Sequence, residues 1–317
     1  MNNNMSAYDC ISGVRTQKDL GPSMLGDVST APQPDWATMS LADDAIEVVV
    51  TRLNEGAEAI RSSFALLSDA ERQRAGRFAF DRDRRRFTVA RARLRQLLAM
   101  RLGIHPESVV LNYGAYGKPA LEGLSAESDL RFNLSHCDDT AVYVFATGRE
   151  VGVDVEYVRV MPDADDIAAR FFSRHENKTY MVLAPRDKPQ GFFNCWTRKE
   201  AFIKALGDGL SHPLDRFDVS LSPGELARIL RVDGTPGEDC EWEIHSFVPW
   251  PGFIGAVVAQ KLGTGSFTRV DPEQVAMSLR RLRDSAGAIN DRHQRCLETG
   301  AQWTRCVDGW QTERFVF

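Results

Sequence analysis

Two acidic residues, Asp154 and Glu156, alternate with valines in the string GVDVEYV at residues 152–158. Because side chains alternate along a strand, this pattern predicts both carboxylates on one face, roughly 7 Å apart. At an effective dielectric near 20, two like charges at roughly that distance repel by about 2 kcal/mol, and a bound divalent cation would turn the repulsion into attraction. Two interpretations stay open, a cation site and a solvated strand face.

A second string with chemical potential is WTRKEAFIKALG at residues 196–207. On a helical wheel Glu200 and Lys204 lie side by side on the flank of an apolar stripe, where they could serve a site or form an ordinary surface ion pair. Lys199 falls within the arc of the stripe. Its ammonium must therefore extend past apolar neighbours to water or meet an anion.

A third string, FNLSHCDD at residues 132–139, ends a predicted strand at a polar turn. Ser135 and His136 could donate hydrogen bonds to a phosphate there, or could be turn residues. Cys137 is adjacent to His136, but neighbours on a strand point to opposite faces, which disfavours a thiol–histidine pair. In YGKPAL at residues 116–121, Gly117 and Pro119 predict a turn that projects Lys118 outward.

The elements that must position these residues form two successive sets. We predict helices at 68–78, near 84–102 and at 192–206, and the first opens with Ser68 and Glu71 in capping-box spacing. The string AARFFS at 168–173 and a capped segment from Ser173 to Glu176 precede the last of these helices, which we expect to end at Gly207. Predicted strands at 46–53, 108–113, 130–135, 140–147, 150–158, 216–221, 241–248 and 253–260 alternate with them.

This order of elements predicts an α+β fold of two similar halves, each with a long helix packed on antiparallel strands. We expect the halves at residues 45–149 and 150–262. Residues 1–44 are expected to be a poorly ordered N-terminal extension, and residues 263–317 a C-terminal extension of unassigned role.

Charge is distributed unevenly along the chain of 317 residues. The net charge is −5, yet residues 71–103 contain eleven arginines and three acids. Such asymmetry indicates a local anionic partner rather than general affinity for nucleic acid. Few aromatic residues lie among these arginines, which also disfavours nucleic acid.

Composition narrows the class of protein. Hydrophobic residues make up 43% and charged residues 26% of the chain, as in ordinary soluble proteins, and no apolar run reaches the length of a membrane span. The N-terminus has neither the basic nor the apolar region of a secretory signal, so we expect a cytoplasmic protein. Its six cysteines are scattered without a CxxC pair, so reduced thiols are expected.

Taken in order, these strings resemble the surfactin-synthetase-activating type of 4′-phosphopantetheinyl transferase, over roughly residues 45–262. RFFSRHE at 170–176 is also similar to a Phe-Phe-Ser stretch of that family. The family patterns GxDxE and WxxKExxxK are matched by Gly152, Asp154, Glu156, Trp196, Lys199, Glu200 and Lys204.

The resemblance implies two pseudo-twofold halves with coenzyme A between them, and transfer of its phosphopantetheine to a serine of an apo acyl or peptidyl carrier protein. Adenosine 3′,5′-bisphosphate would be released. It also implies Mg²⁺ held by Asp154, Glu156 and Glu200, with Glu200 and Lys204 as catalytic residues. The coenzyme would be bound by Lys118, Ser135, His136, Lys199 and Lys204.

One departure concerns the coenzyme's 3′-phosphate. Relatives often carry a lysine where this chain has Glu71, so Arg74, Arg77 and Arg86 become candidates for that contact. The alternative functions are a coenzyme A or carrier-binding protein without turnover and a polyanion-binding module that uses the arginine-rich helix. We expect a monomer with no nucleic-acid or membrane partner.

Overall fold

A computed structural model describes residues 36–41, 46–114, 116–123, 129–207, 212–233 and 241–261. The extension predicted at residues 1–44 lies outside these residues except for one strand, and the extension at 263–317 lies wholly outside them. Among the described residues, no helix has the length and apolar character needed to cross a membrane.

The described residues form six helices and eleven strands. The helices are α1 (Ala57–Ala65), α2 (Asp69–Ala75), α3 (Asp81–Leu102), α4 (Ala164–Phe171), α5 (Arg174–Met181) and α6 (Lys188–Leu206). The strands are β1 (Trp36–Leu41), β2 (Ile46–Arg52), β3 (Leu111–Tyr113), β4 (Pro119–Leu121), β5 (Leu130–Cys137), β6 (Thr140–Thr147), β7 (Val151–Tyr157), β8 (Phe217–Val219), β9 (Ile229–Val232), β10 (Trp242–Phe247) and β11 (Phe253–Gln260).

Each half has a main antiparallel sheet and one long helix. The first sheet has the order β1-β2-β6-β5 and the second the order β10-β11-β7, while β3-β4 and β8-β9 are separate pairs. Leu94 and Leu98 of α3 pack on the first sheet through Tyr143, and Phe202 of α6 packs on the second through Ile244. The predicted α+β class with two similar halves is confirmed.

The two halves share a core between their sheets. Valines from β2 and β6 pack against valines from β7 and β11, and this cluster includes Val48, Val50, Val142, Val144, Val153, Val155 and Val257. The side-chain oxygen of Asn133 on β5 also accepts the Val153 amide of β7, at 3.2 Å. Because β5 and β7 lie side by side across the boundary, side chains from both halves can meet there.

Gly152 sets how closely α6 approaches β7. A Cβ atom at this position would lie 2.1 Å from the Ala201 carbonyl oxygen and 2.4 Å from the Ala205 nitrogen. No other residue fits without moving the helix. Asp154 and Glu156 follow at intervals of two, so the strand face that carries both acids is the face against which α6 lies.

Local signals at the helix ends act as predicted. Ser68 with Glu71 and Ser173 with Glu176 form reciprocal capping boxes at the starts of α2 and α5. α6 ends at Gly207, whose φ of 83° is the left-handed conformation that glycine adopts readily.

Some elements differ from the prediction. The strand expected at 108–113 is reduced to β3, because Pro106–Ser108 forms a short 3₁₀ turn. α6 begins at Lys188, earlier than expected, with a proline in its first turn. The short helix α1, which buries no residue, and the edge strand β1 had no clear signal in the sequence.

Candidate active site

The candidate site lies where β5, β7 and α6 meet. Asp154 and Glu156 of β7 are 1% and 5% exposed, and Glu200 of α6 is 6% exposed. Carboxylates rarely occur so deeply buried without strong partners. This burial excludes the interpretation of Asp154 and Glu156 as acids on a solvated strand face.

Asp154 is the centre of a hydrogen-bonded group drawn from all three elements. The Lys204 ammonium lies 2.6 Å from Oδ1 of Asp154, and the Ser135 hydroxyl donates to the same oxygen at 2.8 Å. Lys204 also donates to the Ser135 oxygen at 3.2 Å. Ser135, Asp154 and Lys204 are distant in sequence. The fold therefore brings together predicted site residues that no local sequence pattern connects.

Two carboxylate oxygens at the site have no hydrogen-bond partner among the described residues. They are Oδ2 of Asp154 and Oε1 of Glu200, and both are buried. A buried acceptor without a donor loses its hydration with no compensation. These oxygens are therefore available to a donor or cation.

Burial and the charge of Asp154 raise the pKa values of Glu156 and Glu200. Burial raises the pKa of Glu156 above its ordinary value, and the charge of Asp154 raises it further, against the opposing effect of Arg159. Burial likewise raises the pKa of Glu200, which Lys204 lowers and Asp154 raises. Three acids thus lie beside two cations, Lys204 and Arg159.

The donor chemistry of this group fits Mg²⁺, since hard cations prefer carboxylate oxygens and two of these oxygens lack partners. Within the described residues, no three His, Cys, Asp or Glu side chains are already arranged as a metal-binding group. In this arrangement the ammonium of Lys204 is the cation in contact with Asp154.

His136 faces a set of cations. Desolvation lowers the pKa of its imidazole to about 4, and the charges of Lys204, Arg91, Arg86 and Arg74 also lower it. His136 retains exposed surface. A neutral imidazole among four cations is a suitable environment for an anionic ligand.

Lys199 does not lie at this site, in contrast to the expected contact with the coenzyme. Its ammonium is fully buried, 2.8 Å from the Glu176 carboxylate and 2.6 Å from the carbonyl oxygens of Leu214 and Phe217. The anion that Lys199 meets is therefore Glu176 of α5. Its ammonium has no exposed surface with which to bind a phosphate.

Lys118 is also engaged within the protein. Its ammonium lies 2.8 Å from a Glu150 oxygen and 3.0 Å from the Ala205 carbonyl oxygen, near the end of α6. The turn between β3 and β4 is thereby tied to the second half. A phosphate would have to compete with Glu150 for this ammonium.

Near the start of α3, Arg86 is 2.8 Å from Asp139 and within ion-pair distance of Asp83 and Asp138. Arg74 of α2 is exposed and lies near His136. Glu71 is buried and bound to Arg95 at 2.6 Å. The residue that replaces the expected lysine thus has a structural partner.

The sequence interpretation missed two residues beside this site. Arg159 lies 3.8 Å from Glu156, and its position three residues after that acid was the available signal. Arg91 is 7% exposed, and the sequence interpretation did not distinguish it from the other arginines of the helix. Its position four residues after Phe87 places it beside the apolar stripe of α3, which could have indicated burial.

Comparison with known proteins gives two family matches that cover both halves. The profile described as 4′-phosphopantetheinyl transferase superfamily matches residues 150–258. The profile described as 4′-phosphopantetheinyl transferase, N-terminal, matches residues 56–148.

Individual relatives agree with these matches. The 4′-phosphopantetheinyl transferase HetI of Nostoc sp. is 34% identical over 230 residues, which span 73% of this chain and 94% of the relative. The 4′-phosphopantetheinyl transferase Sfp of Bacillus subtilis is 29% identical over 62% of this chain and 83% of its own. A human L-aminoadipate-semialdehyde dehydrogenase-phosphopantetheinyl transferase is 31% identical over 54% of this chain and 60% of its own.

Proposed function

Because the chain belongs to the 4′-phosphopantetheinyl transferase superfamily, we propose that it transfers the 4′-phosphopantetheine group of coenzyme A to a serine of an apo carrier protein. The bond that forms joins the serine oxygen to the phosphorus next to pantetheine. The bond that breaks joins that phosphorus to the bridging oxygen of the diphosphate, which leaves with adenosine 3′,5′-bisphosphate.

One observation carries this proposal: Asp154, Glu200 and Lys204 converge from β7 and α6 with unpartnered carboxylate oxygens between the two halves. Phosphoryl transfer needs the reactants held in line and the developing charge offset, with little covalent participation by the protein. A buried group of acids with one adjacent ammonium supplies both signs of charge for this purpose.

We assign the diphosphate of coenzyme A to Ser135, His136 and Lys204. The Ser135 hydroxyl and Lys204 ammonium already lie 3.2 Å apart, and the cations around His136 favour an anion beside it. Lys204 would donate to the leaving diphosphate oxygen as its charge grows. Lys118 can join this group only if it leaves Glu150.

Glu200 is our candidate for the general base. Its Oε1 is buried without a hydrogen-bond partner among the described residues, and its raised pKa strengthens it as a proton acceptor. We propose that the Glu200 carboxylate takes the proton of the carrier's serine hydroxyl as the serine oxygen attacks phosphorus. Asp154 keeps Lys204 oriented through its 2.6 Å contact.

We propose that Mg²⁺ is held by Asp154, Glu156 and Glu200, since these carboxylates have the donor chemistry and the excess charge for it. When bound, Mg²⁺ would neutralise charge on the diphosphate oxygens. We also propose that the chain is of the surfactin-synthetase-activating type, because its motifs from Gly152 to Glu156 and from Trp196 to Lys204 match the patterns of that type.

The ion pairs of α3 account for most of the basic stretch without a nucleic acid. Asp81 pairs with both Arg84 and Arg85, Asp139 pairs with Arg86, and Glu47 pairs with Arg101. A module that binds polyanions presents free cations instead. The transferase is therefore favoured over the polyanion-binding alternative.

Some features of the proposal go beyond the active site. We propose a cytoplasmic monomer that acts on acyl or peptidyl carrier proteins and has no nucleic-acid or membrane partner. We also propose transferase halves at residues 45–149 and 150–262. The scattered cysteines and the charge pattern of the sequence support these assignments.

Mass spectrometry of a carrier protein tests the proposed function. The purified protein is incubated with coenzyme A, Mg²⁺ and an apo carrier, and we expect the carrier to gain the mass of one phosphopantetheine group. A carrier with alanine in place of its acceptor serine is the matched control and should gain nothing. No gain on a panel of acyl and peptidyl carriers would reject the proposal.

A further inference from the structure

Lys204 is the counter-cation of Asp154 in this structure. Its ammonium lies 2.6 Å from Oδ1 of Asp154, a carboxylate that is 1% exposed. The Ser135 hydroxyl donates to the same oxygen at 2.8 Å. A metal ion bound to Oδ1 would therefore lie at close range to a positive charge, and like charges repel strongly in a buried site. The ammonium and a divalent cation thus compete for Asp154.

The charge of Lys204 also acts on the other two carboxylates of the site. Burial raises the pKa values of Glu156 and Glu200, and the charge of Lys204 lowers both of them. Arg159 lies 3.8 Å from Glu156, which is farther than Lys204 lies from Asp154. The position of the Lys204 ammonium therefore decides how much of the negative charge a metal ion would meet.

Lys204 can change its position without a change in the fold. Its side chain is 20% exposed, whereas the side chain of Lys199 on the same helix has no exposed surface. Lys204 lies close to Gly207, where α6 ends. Because the ammonium of a lysine sits on a long and flexible aliphatic stem, it can swing while the backbone of α6 stays in place.

A diphosphate carries more negative charge than one carboxylate, so it would draw the ammonium away from Asp154. The diphosphate of coenzyme A is assigned to Ser135, His136 and Lys204. The Lys204 ammonium is already 3.2 Å from the Ser135 oxygen, so it needs to move little to reach a phosphate oxygen bound there. The contact that orients Lys204 for the diphosphate is thus the contact that the diphosphate replaces.

We propose that Lys204 sets the order of binding, because its ammonium keeps a divalent cation off Asp154 until coenzyme A binds and the diphosphate draws the ammonium away. Once Oδ1 is released, Asp154 offers both of its oxygens to the cation, since Oδ2 has no hydrogen-bond partner among the described residues. This inference rests on the proposed function and gives Lys204 a second role at the same site. By thermodynamic linkage, coenzyme and cation each strengthen the binding of the other.

Binding of Mn²⁺ to the full-length protein without coenzyme A tests the first half of the inference. Mn²⁺ shares the preference of Mg²⁺ for carboxylate oxygens, and the electron paramagnetic resonance signal of the free ion measures its binding. Lys204→Met should bind Mn²⁺ roughly tenfold or more tightly than the unaltered protein, because the ion no longer has to displace a charge-assisted hydrogen bond.

Lys188→Met is the matched control, because it removes one lysine from the start of the same helix, where Lys188 pairs with Asp165 at 2.9 Å. It should leave the Mn²⁺ affinity within about twofold of the unaltered protein. Lys204→Arg keeps a positive charge beside Asp154, and it should bind Mn²⁺ as weakly as the unaltered protein does.

Nuclear magnetic resonance of the lysine ammonium nitrogens in the unaltered protein tests the second half. The Lys204 signal is the one that Lys204→Arg lacks. Addition of coenzyme A without a divalent cation should shift this signal, because the ammonium exchanges a carboxylate for a diphosphate. If Lys204→Met fails to fold by circular dichroism, this measurement decides the result.

A folded Lys204→Met protein that binds Mn²⁺ no more tightly than the unaltered protein would overturn the inference. An equal gain in Lys188→Met, or an unshifted Lys204 signal with coenzyme A bound, would do the same. The carrier-loading assay separates this failure from failure of the proposed function. A protein that loads carriers while Lys204→Met gains no Mn²⁺ affinity retains its function and loses this inference, and a protein that shows the gain and the shift without loading carriers does the reverse.

Discussion

At the scale of single residues, the burial of a charge decides what each group at the site can do. Asp154 has Lys204 and Ser135 as partners, whereas Glu200 keeps a buried oxygen without one among the described residues. Side chains of the same chemical type therefore differ in function because their neighbours differ. Burial and neighbouring charges also determine what the side chains of Cys137 and His136 can do.

Cys137→Ala should leave carrier loading within about twofold of the unaltered protein. Burial raises the pKa of the Cys137 thiol well above its ordinary value, and the charge of Glu156 raises it further, so little reactive thiolate exists near neutral pH. The initial rate of carrier loading measures the effect. Loss of activity in this variant would indicate covalent chemistry at the thiol.

His136 should make the folded protein less stable in mild acid. Because its pKa is lowered to about 4 from an ordinary 6.5, the unfolded chain binds more protons between these values. Its contribution to the free energy of unfolding is therefore lost as pH falls from 6.5 towards 4. Urea unfolding at several pH values should show a shallower loss in His136→Gln, and an identical slope in both proteins would contradict the assignment.

At the scale of elements, α6 is the part on which the site depends, because it carries both Glu200 and Lys204. Gly152 holds one side of this helix against β7, and the buried Lys199 holds another side to α5. Each contact has a consequence for stability that can be measured apart from activity.

Gly152→Ala should destabilise the protein by roughly 1–3 kcal/mol, because the added methyl group overlaps the backbone of α6. The nearest backbone atom would be only 2.1 Å away. Chemical denaturation measures the free energy of unfolding. Gly56→Ala is the control, because a Cβ atom at Gly56 meets nothing within 4 Å. Gly148→Ala is unsuitable, because Gly148 has a positive φ that alanine adopts only with strain. Equal stabilities of Gly152→Ala and Gly56→Ala would contradict this account.

Lys199→Met should destabilise the protein by about 3–5 kcal/mol, because it leaves the Glu176 carboxylate buried without its cation. The double variant Lys199→Met with Glu176→Gln should recover part of that loss, since the buried charge is gone. Thermal unfolding of the two variants gives the comparison. Full stability of Lys199→Met together with a loss of affinity for coenzyme A would contradict this account and would indicate that Lys199 contacts a phosphate of the coenzyme.

At the scale of the whole molecule, the sequence predicted what depends on local pattern. Both capping boxes, the end of α6 at Gly207 and the alternation of acids on β7 follow from spacing within a few residues, and the structure has them. The resemblance to 4′-phosphopantetheinyl transferases is confirmed by matches to both halves of the chain.

The features that could not be predicted from the sequence depend on contacts between distant segments of the chain. Lys199 meets Glu176 and the carbonyls of Leu214 and Phe217, and no spacing rule joins these positions. Among the described residues Arg91 has no ion pair, unlike the other arginines of α3. α1 was missed because it buries none of its residues and so lacks a strong apolar stripe.

The central claim is that the carboxylates gathered from β7 and α6 perform the transfer. The most direct measurement is the initial rate of carrier loading, followed by mass spectrometry, for Asp154→Asn and for the control variant Asp233→Asn. Asp233 pairs with Arg231 near the end of β9. We predict a fall of at least ~100-fold for Asp154→Asn and no change for Asp233→Asn, with both proteins folded. Undiminished loading by a folded Asp154→Asn protein would contradict the claim.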